Sequence, residues 1–167
     1  MAPIRPSVRG AGEKGAALVE FALTVPLLLV VIAGIVDFGF VFQRYEVITN
    51  AAREGARLAS LPEYQTNTAM IQDRVRSYVQ QGLSLSTATL DVVLPVANVV
   101  VTNTPFTVTD GGGTTFTVQA TTVTVTYNHS FVILQPVLRL INANWGSGMP
   151  LTATSQMRNE QQILGGS

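Results

Sequence analysis

An unbroken apolar segment lies near the start of the chain. Residues 21–36 carry no charge and almost no polar atom, and beyond Asp37 the apolar character continues to Phe42. A helix over residues 21–42 would be about 33 Å long, enough to cross a hydrocarbon core of about 30 Å. Apolar residues occupy every face of this helix, whereas the core helix of a soluble domain has one apolar stripe. The pattern therefore predicts a membrane-spanning helix.

Helical periodicity continues beyond the apolar segment. Small and apolar residues recur there at helical spacing, namely Val47, Ile48, Ala51, Ala52, Gly55, Leu58 and Ala59. Pro62 ends the run. We therefore predict one long helix from about Ala16 to Ser60, with an inner half that faces lipid or a filament and an outer half that packs on an exported domain.

The remainder of the chain changes from helical to strand patterns. A second helix is predicted from about Asn67 to Gln81, with Thr66 or Thr68 as its cap and Gly82 as its stop. From residue 89 onward, alternation of Thr with Val and Phe predicts strands, including one or two over residues 90–102.

Three features complete the predicted domain. The glycines at 111–113 predict a hairpin turn, residues 151–157 a closing strand, and the apolar, proline-interrupted residues 131–141 a short helix on the sheet. The predicted fold class is α+β, with a long N-terminal transmembrane helix that extends into a small domain with a second helix and an antiparallel sheet. The predicted division is a basic leader at 1–15, a transmembrane half at 16–42, an exported half of the same helix at 43–62, and an exported α+β domain at 63–167.

Charge and composition restrict the possible functions. The formal net charge is zero and only 12% of the residues are charged, so nothing indicates a nucleic-acid partner. The chain has no cysteine, which excludes disulfides, cysteine-based metal sites and thiol catalysis. His129, the only histidine, is expected in a turn or at the surface. The sequence also has no nucleophile elbow or metalloprotease pattern, so we expect no enzyme activity, metal, cofactor or small-molecule substrate.

The apolar segment has three possible interpretations. A cleaved signal peptide has a shorter apolar region followed by a small-x-small site, and none is evident here. An uncut signal anchor is the second interpretation. The third is cleavage just before the helix, between Gly15 and Ala16. Basic residues before the segment, including Arg5 and Arg9, favour an N-terminus inside the cell in the second and third interpretations.

Glu20 favours the third interpretation. A carboxylate in a transmembrane helix is costly unless it reaches water or a cationic partner. A cut after Gly15 would place a new amine on Ala16, one helical turn before Glu20. The carboxylate can then pair with that amine in the same chain or in a neighbour packed with a small axial stagger.

These residues carry a family resemblance. Gly15, four apolar residues and Glu20 form the pattern of type IV prepilins. With it occur Phe21-Ala22, Pro26, Asp37-Phe38-Gly39 and Ala51-Ala52-Arg53-Glu54-Gly55-Ala56-Arg57. Together, residues 15–61 resemble the TadE-like minor pilins, or pseudopilins, of tight-adherence (Flp, type IVc) pilus systems.

The resemblance implies a place and a role. The protein would lie in the bacterial inner membrane, or in the pilus, with its C-terminal domain outside the cytoplasm. A membrane prepilin peptidase would cut it, and it would take part with other pilins and the assembly platform in building a pilus for surface attachment.

The resemblance also assigns roles to particular residues. The processing site would be Gly15, Ala16 and Glu20, and subunit register or assembly would involve Glu20, Phe21, Pro26 and Asp37. Asp37 either marks the membrane interface or pairs with a partner chain. A second set provides either intramolecular helix packing or a subunit contact: Ala51, Ala52, Arg53, Glu54, Gly55 and Arg57.

A different class of function remains open. The chain is then an unprocessed, single-pass membrane-anchored binding module whose Thr-rich extracytoplasmic sheet binds a surface ligand or partner. Replacement of Glu20 by alanine separates the two hypotheses, because only the first requires that carboxylate for pilus assembly.

Overall fold

One long helix runs through the first third of the protein. The computed structural model describes residues 10–136, 139 and 148–160. Helix α1 spans Gly10–Ser60 and contains Pro26. It ends at Ser60 as predicted, but it begins at Gly10 rather than at Ala16. Residues 10–15 include no proline, and Ala11, Glu13 and Lys14 favour a helix, although the other three residues are glycines.

The second helix is confirmed and ends at Gly82 as predicted, but its predicted N-terminal cap is wrong. Helix α2 spans Thr68–Gly82, and the Asn67 side chain accepts a hydrogen bond of 3.2 Å from the Met70 N–H. Asn67 immediately precedes the first helical residue, and its short side chain reaches the unpaired N–H groups of the first turn.

The first predicted strand is partly helical. Helix α3 spans Thr87–Val93 and is followed by a 3-10 turn at Val96–Asn98, so that only β1, Val99–Asn103, is a strand. Ser86 caps α3 by accepting the Thr89 N–H at 3.2 Å. Helical geometry also buries Leu90 in the core, and this tertiary packing outweighs the strand propensity of the valines.

Three strands form the main antiparallel sheet. Strands β4, Ala120–His129, and β5, Met149–Arg158, join β1 in the order β1-β4-β5. Val125 lies opposite Val99 on one side and Ala153 on the other. The predicted closing strand is confirmed as β5.

The predicted glycine-turn hairpin is confirmed as a separate two-stranded sheet. It consists of β2, Phe106–Thr109, and β3, Thr115–Val118. Gly113 has a φ of +84°, which favours glycine. The Asp110 carboxylate accepts the N–H groups of Gly112 and Thr114, each at 2.9 Å.

The outer half of α1 forms the centre of the domain. It lies across β4 and β5, and α2 packs beside it and against β1. The largest fully buried apolar side chains come from α1, α2, β1 and β4 and from the residue that follows α3. They are Ile48, Ile71, Val75, Val79, Leu94, Val99, Val123 and Val125. The predicted α+β class, with an N-terminal apolar helix, a second helix and antiparallel sheets, is therefore confirmed.

The segment after β4 does not begin as the predicted helix. Residues 131–134 form an irregular bend, and helical residues occur only from Gln135 onward. The bend is held by hydrogen bonds to α1, which replace the bonds that a helix would make. Most of the rest of the predicted helix lies outside the described residues.

Candidate functional site

The inner half of α1 is apolar, and most of its large side chains are exposed. Phe21 is 67% exposed, Leu23 73% and Phe42 71%. Residues 15–60 contain a helix that is long and apolar enough to cross a membrane. Such exposure is costly in water, so lipid or another protein must cover this surface.

The predicted processing residues lie within one exposed stretch of α1. Gly15, Ala16 and Glu20 are all exposed. A Cβ built on Gly15 would meet no atom within 4 Å. Ala16 and Glu20 are separated by about 6 Å along the helix axis, at roughly 1.5 Å per residue. In the described part of the chain, no ion pair involves Glu20.

Pro26 lies in the same exposed surface. The helix continues through it, although proline has no N–H to donate to the carbonyl of Ala22. The Thr24 hydroxyl donates a 2.8 Å hydrogen bond to the Glu20 carbonyl, one turn earlier. The backbone at this position is therefore less fully bonded than the rest of α1.

Asp37 differs from its surroundings because it is fully buried. Its Oδ1 accepts the N–H groups of Val132 at 3.0 Å and Ile133 at 3.2 Å. Its Oδ2 accepts those of Ile133 at 3.1 Å and Leu134 at 2.6 Å. Asp37 was predicted to lie at the membrane interface or against a partner chain, whereas the structure gives it a partner within its own chain. No local pattern reveals this contact, because the residues involved are far apart in sequence.

His129 is buried just beyond the outer end of the span. It is 1% exposed, contacts the Arg44 guanidinium through Nδ1, and lies edge-on to Phe131 with ring centroids 5.3 Å apart. The expected turn or surface position is wrong. The inward-facing alternation of Val123, Val125 and Tyr127 extends to residue 129, and this parity was a signal that the sequence offered.

The surroundings of His129 keep its ring neutral. Burial lowers the pKa of His129 below its ordinary value, the adjacent Arg44 cation lowers it further, and Asp37 partly opposes this. Burial also raises the pKa of Tyr127, and Arg44 opposes that shift. A neutral imidazole can accept a hydrogen bond from Arg44, so these groups fasten β4 to α1.

The small residues of the outer half pack inside the protein. Ala51, Ala52 and Gly55 are buried. A Cβ on Gly55 would lie 2.5 Å from Val75 Cγ2 and 3.2 Å from Val123 Cγ1. These residues therefore allow α2 and β4 to approach the backbone of α1 closely.

The charged residues of the same segment lie at its surface. Arg53 is exposed and donates to the Asn50 side chain at 3.2 Å. Glu54 pairs with Arg57 at 3.0 Å and with Arg74 of α2 at 3.0 Å. The hydrogen bond from Arg57 lowers the pKa of Glu54, with a smaller contribution from Arg74, and desolvation opposes both. The segment thus combines a buried packing face with an exposed charged edge.

The fold and the exposed span together define a membrane-anchored protein with one N-terminal helix and an α+β domain. The family model described as TadE-like protein matches residues 15–57. The resemblance predicted from the sequence is confirmed for this segment, which is about a quarter of the chain. No curated protein and no solved structure matches the chain.

Proposed function

We propose that this protein is a minor pilin or pseudopilin. In this proposal, prepilin peptidase cuts it between Gly15 and Ala16, and it then takes part in assembling a tight-adherence pilus for surface attachment. The observation that carries the proposal is the TadE-like match from Gly15 onward over an exposed helical surface, which includes Glu20, a carboxylate with no ion-pair partner among the described residues.

The exposure of the cut site supports processing. Gly15 has open space around it, and Ala16 is exposed. In this proposal, the peptidase reaches the bond between them within α1 without unfolding the domain. After the cut, the amine of Ala16 is the new positive charge at the start of the helix.

The lack of an ion-pair partner for Glu20 among the described residues supports a role for this residue in aligning neighbouring subunits. Its carboxylate has no ion-pair partner among the described residues, and an unpaired charge in an apolar helix is costly. The Ala16 amine of a neighbouring subunit would remove that cost. Phe21 and Pro26, which are also exposed, would contact the same neighbour.

Basic residues before the span support the proposed orientation in the membrane, and exposed arginines beyond the span support contacts with other subunits. Arg5, Arg9 and Lys14 precede the span, which favours a cytoplasmic N-terminus and an extracytoplasmic domain at the bacterial inner membrane. The partners would be other pilins and the assembly platform, with Arg53 and Arg57 available at the surface for subunit contacts. The role is structural, and no catalytic activity is assigned.

The first experiment is to determine the N-terminal residue of protein purified from its native membrane, by intact mass and N-terminal sequencing. We expect Ala16. A start at Met1 or Ala2 would mean that no amine forms beside Glu20, which would contradict the processing proposal. A start beyond Phe42 would mean that the apolar segment is a secretory signal.

The second experiment is to replace Glu20 with alanine. We expect pilus assembly to fail while membrane insertion remains intact. Glu46→Ala is a matched control, because Glu46 is an exposed carboxylate outside the span. Pili at the normal level in the Glu20 variant would contradict the register role.

A second candidate function has its own supporting observation. The outer face of the main sheet carries paired threonines, with 3.2 Å between the hydroxyls of Thr124 and Thr154 and 3.4 Å between those of Thr126 and Thr152. Such a row of hydroxyls suits a polar ligand, as expected of an uncut, anchored binding module. In that case Glu20→Ala preserves both anchoring and binding.

A further inference from the structure

The irregular loop after β4 lies along the membrane-spanning part of α1. We call residues 131–134 the membrane-proximal loop. Its backbone binds Asp37, which precedes the outer end of the apolar run at Phe42 by about 7.5 Å. Leu134 Cδ1 lies 4.0 Å from the position of a Cβ on Gly34, deeper still. Ile133 lines an apolar groove together with Leu29, Val30, Ile32, Ala33 and Val36 of α1.

The backbone of this loop is equipped for an apolar environment. Irregular backbone at membrane depth is tolerated only where its polar groups find partners within the protein. The Asp37 carboxylate accepts three consecutive N–H groups, those of Val132, Ile133 and Leu134. Asp37 therefore acts as a positioning residue that satisfies the loop and holds it against the helix.

The side chains of the loop are apolar and partly exposed, like those of the span. Val132 is 56% exposed and Ile133 44%, and the loop contains no charged or polar side chain. Phe38 and Phe42 of α1 are 54% and 71% exposed at a similar height. The apolar surface of the loop is thus continuous with that of the helix.

We infer that the membrane-proximal loop is a second membrane contact, which inserts Val132 and Ile133 into the outer leaflet of the bilayer. This inference rests on α1 crossing the membrane but not on cleavage or pilus assembly. Two points of contact, the helix and the loop, would fix the height and rotation of the exported domain above the bilayer. The occupant is lipid, and a neighbouring protein on the same surface is an outcome that the test below distinguishes.

The absence of native cysteine permits a clean labelling experiment. Val132→Cys in the full-length chain would carry an environment-sensitive fluorophore in phosphatidylcholine–phosphatidylglycerol vesicles. Spin-labelled lipids would quench the fluorophore, with the quencher near the headgroup or near the centre of the bilayer. We expect a blue-shifted emission and a loss of intensity that is largest with the shallow quencher.

Two further labels control this measurement. Leu29→Cys reports the span and should be quenched most by the deep quencher. Thr107→Cys, on the exposed hairpin, should not be quenched. Quenching at Leu29 without quenching at Val132 would overturn the loop contact, including the case in which another protein shields the loop. No quenching at Leu29 would overturn the membrane span and the inference with it.

The role of Asp37 is tested by Asp37→Asn, which keeps the size of the side chain but leaves one carbonyl acceptor and adds a donor. With buried N–H groups losing their partner, we expect amide hydrogen exchange in the loop to become about tenfold to a hundredfold faster, and quenching at Val132 to fall. Asp110→Asn is the matched control, since Asp110 also accepts two loop N–H groups but in an exposed turn. Unchanged exchange and unchanged quenching in Asp37→Asn would overturn the positioning role.

Discussion

The two halves of α1 belong to one continuous helix but use opposite chemistry. The inner half, residues 16–42, exposes large apolar side chains, and the outer half presents small residues to a packed core. Leu28 is 54% exposed, whereas Ile48 is fully buried. Exposed large apolar residues therefore identify the part of the helix that lipid or another protein must cover. Small residues identify the part that packs inside the domain.

The largest expected effect comes from truncating the core in the outer half. Ile48→Ala should lower the free energy of unfolding of the exported domain by about 2–5 kcal/mol, because it removes buried methyl groups and leaves a cavity. Leu28→Ala should change it by less than about 0.5 kcal/mol. Urea unfolding of the full-length protein in mild detergent, followed by circular dichroism, measures both. Equal losses would mean that the two halves do not differ in their contribution to the domain.

A smaller loss of domain stability is expected when a glycine of the outer half is replaced with alanine, and almost none when a glycine of the inner half is replaced. Gly55→Ala should destabilise the domain by about 1–3 kcal/mol, because the new methyl group overlaps with the buried Val75. Gly39→Ala, where a Cβ meets nothing within 4 Å, should leave domain stability nearly unchanged. The same unfolding experiment compares them. A destabilisation by Gly39→Ala as large as that by Gly55→Ala would remove the distinction.

The smallest expected effect is a pH dependence of domain stability, which arises at the junction of the two halves, where Arg44 contacts His129. The pKa of His129 in the folded chain lies below its ordinary value of 6.5. The unfolded chain therefore binds the proton more readily, so the stabilisation is fully present above about pH 6.5 and is lost as the pH falls toward the folded pKa. His129→Gln should flatten this dependence in unfolding curves recorded across that range. Since His129 is the only histidine, an unchanged slope would show that another group is responsible.

Patterns within one segment were sufficient to predict much of the molecule. The apolar run predicted the span, small residues at helical spacing predicted the buried face of the outer half, and alternation predicted β5. The glycines at 111–113 predicted the hairpin between β2 and β3. In each case the signal and the structure it specifies lie within the same short stretch of chain, so that backbone geometry alone connects them.

Local patterns failed where a distant contact decides the conformation. The valines of residues 89–94 favour a strand, but capping by Ser86 and burial of Leu90 make the segment helical. His129 was expected in a turn or at the surface, but strand β4 places it against Arg44. These outcomes depend on which surfaces meet after folding, and strand propensity is too weak to resist them.

The sequence by itself determined that the protein has an apolar span with a carboxylate near its start and a family segment from Gly15 onward, because these properties depend on residue identity and spacing alone. Only the tertiary structure decided what Asp37 does. A carboxylate at the outer end of a span can face headgroups, a neighbouring chain or its own domain, and these possibilities have the same sequence. The fold selects the third possibility, since it brings three N–H groups of residues 132–134 to both carboxylate oxygens, and a buried carboxylate is stable only where such donors surround it.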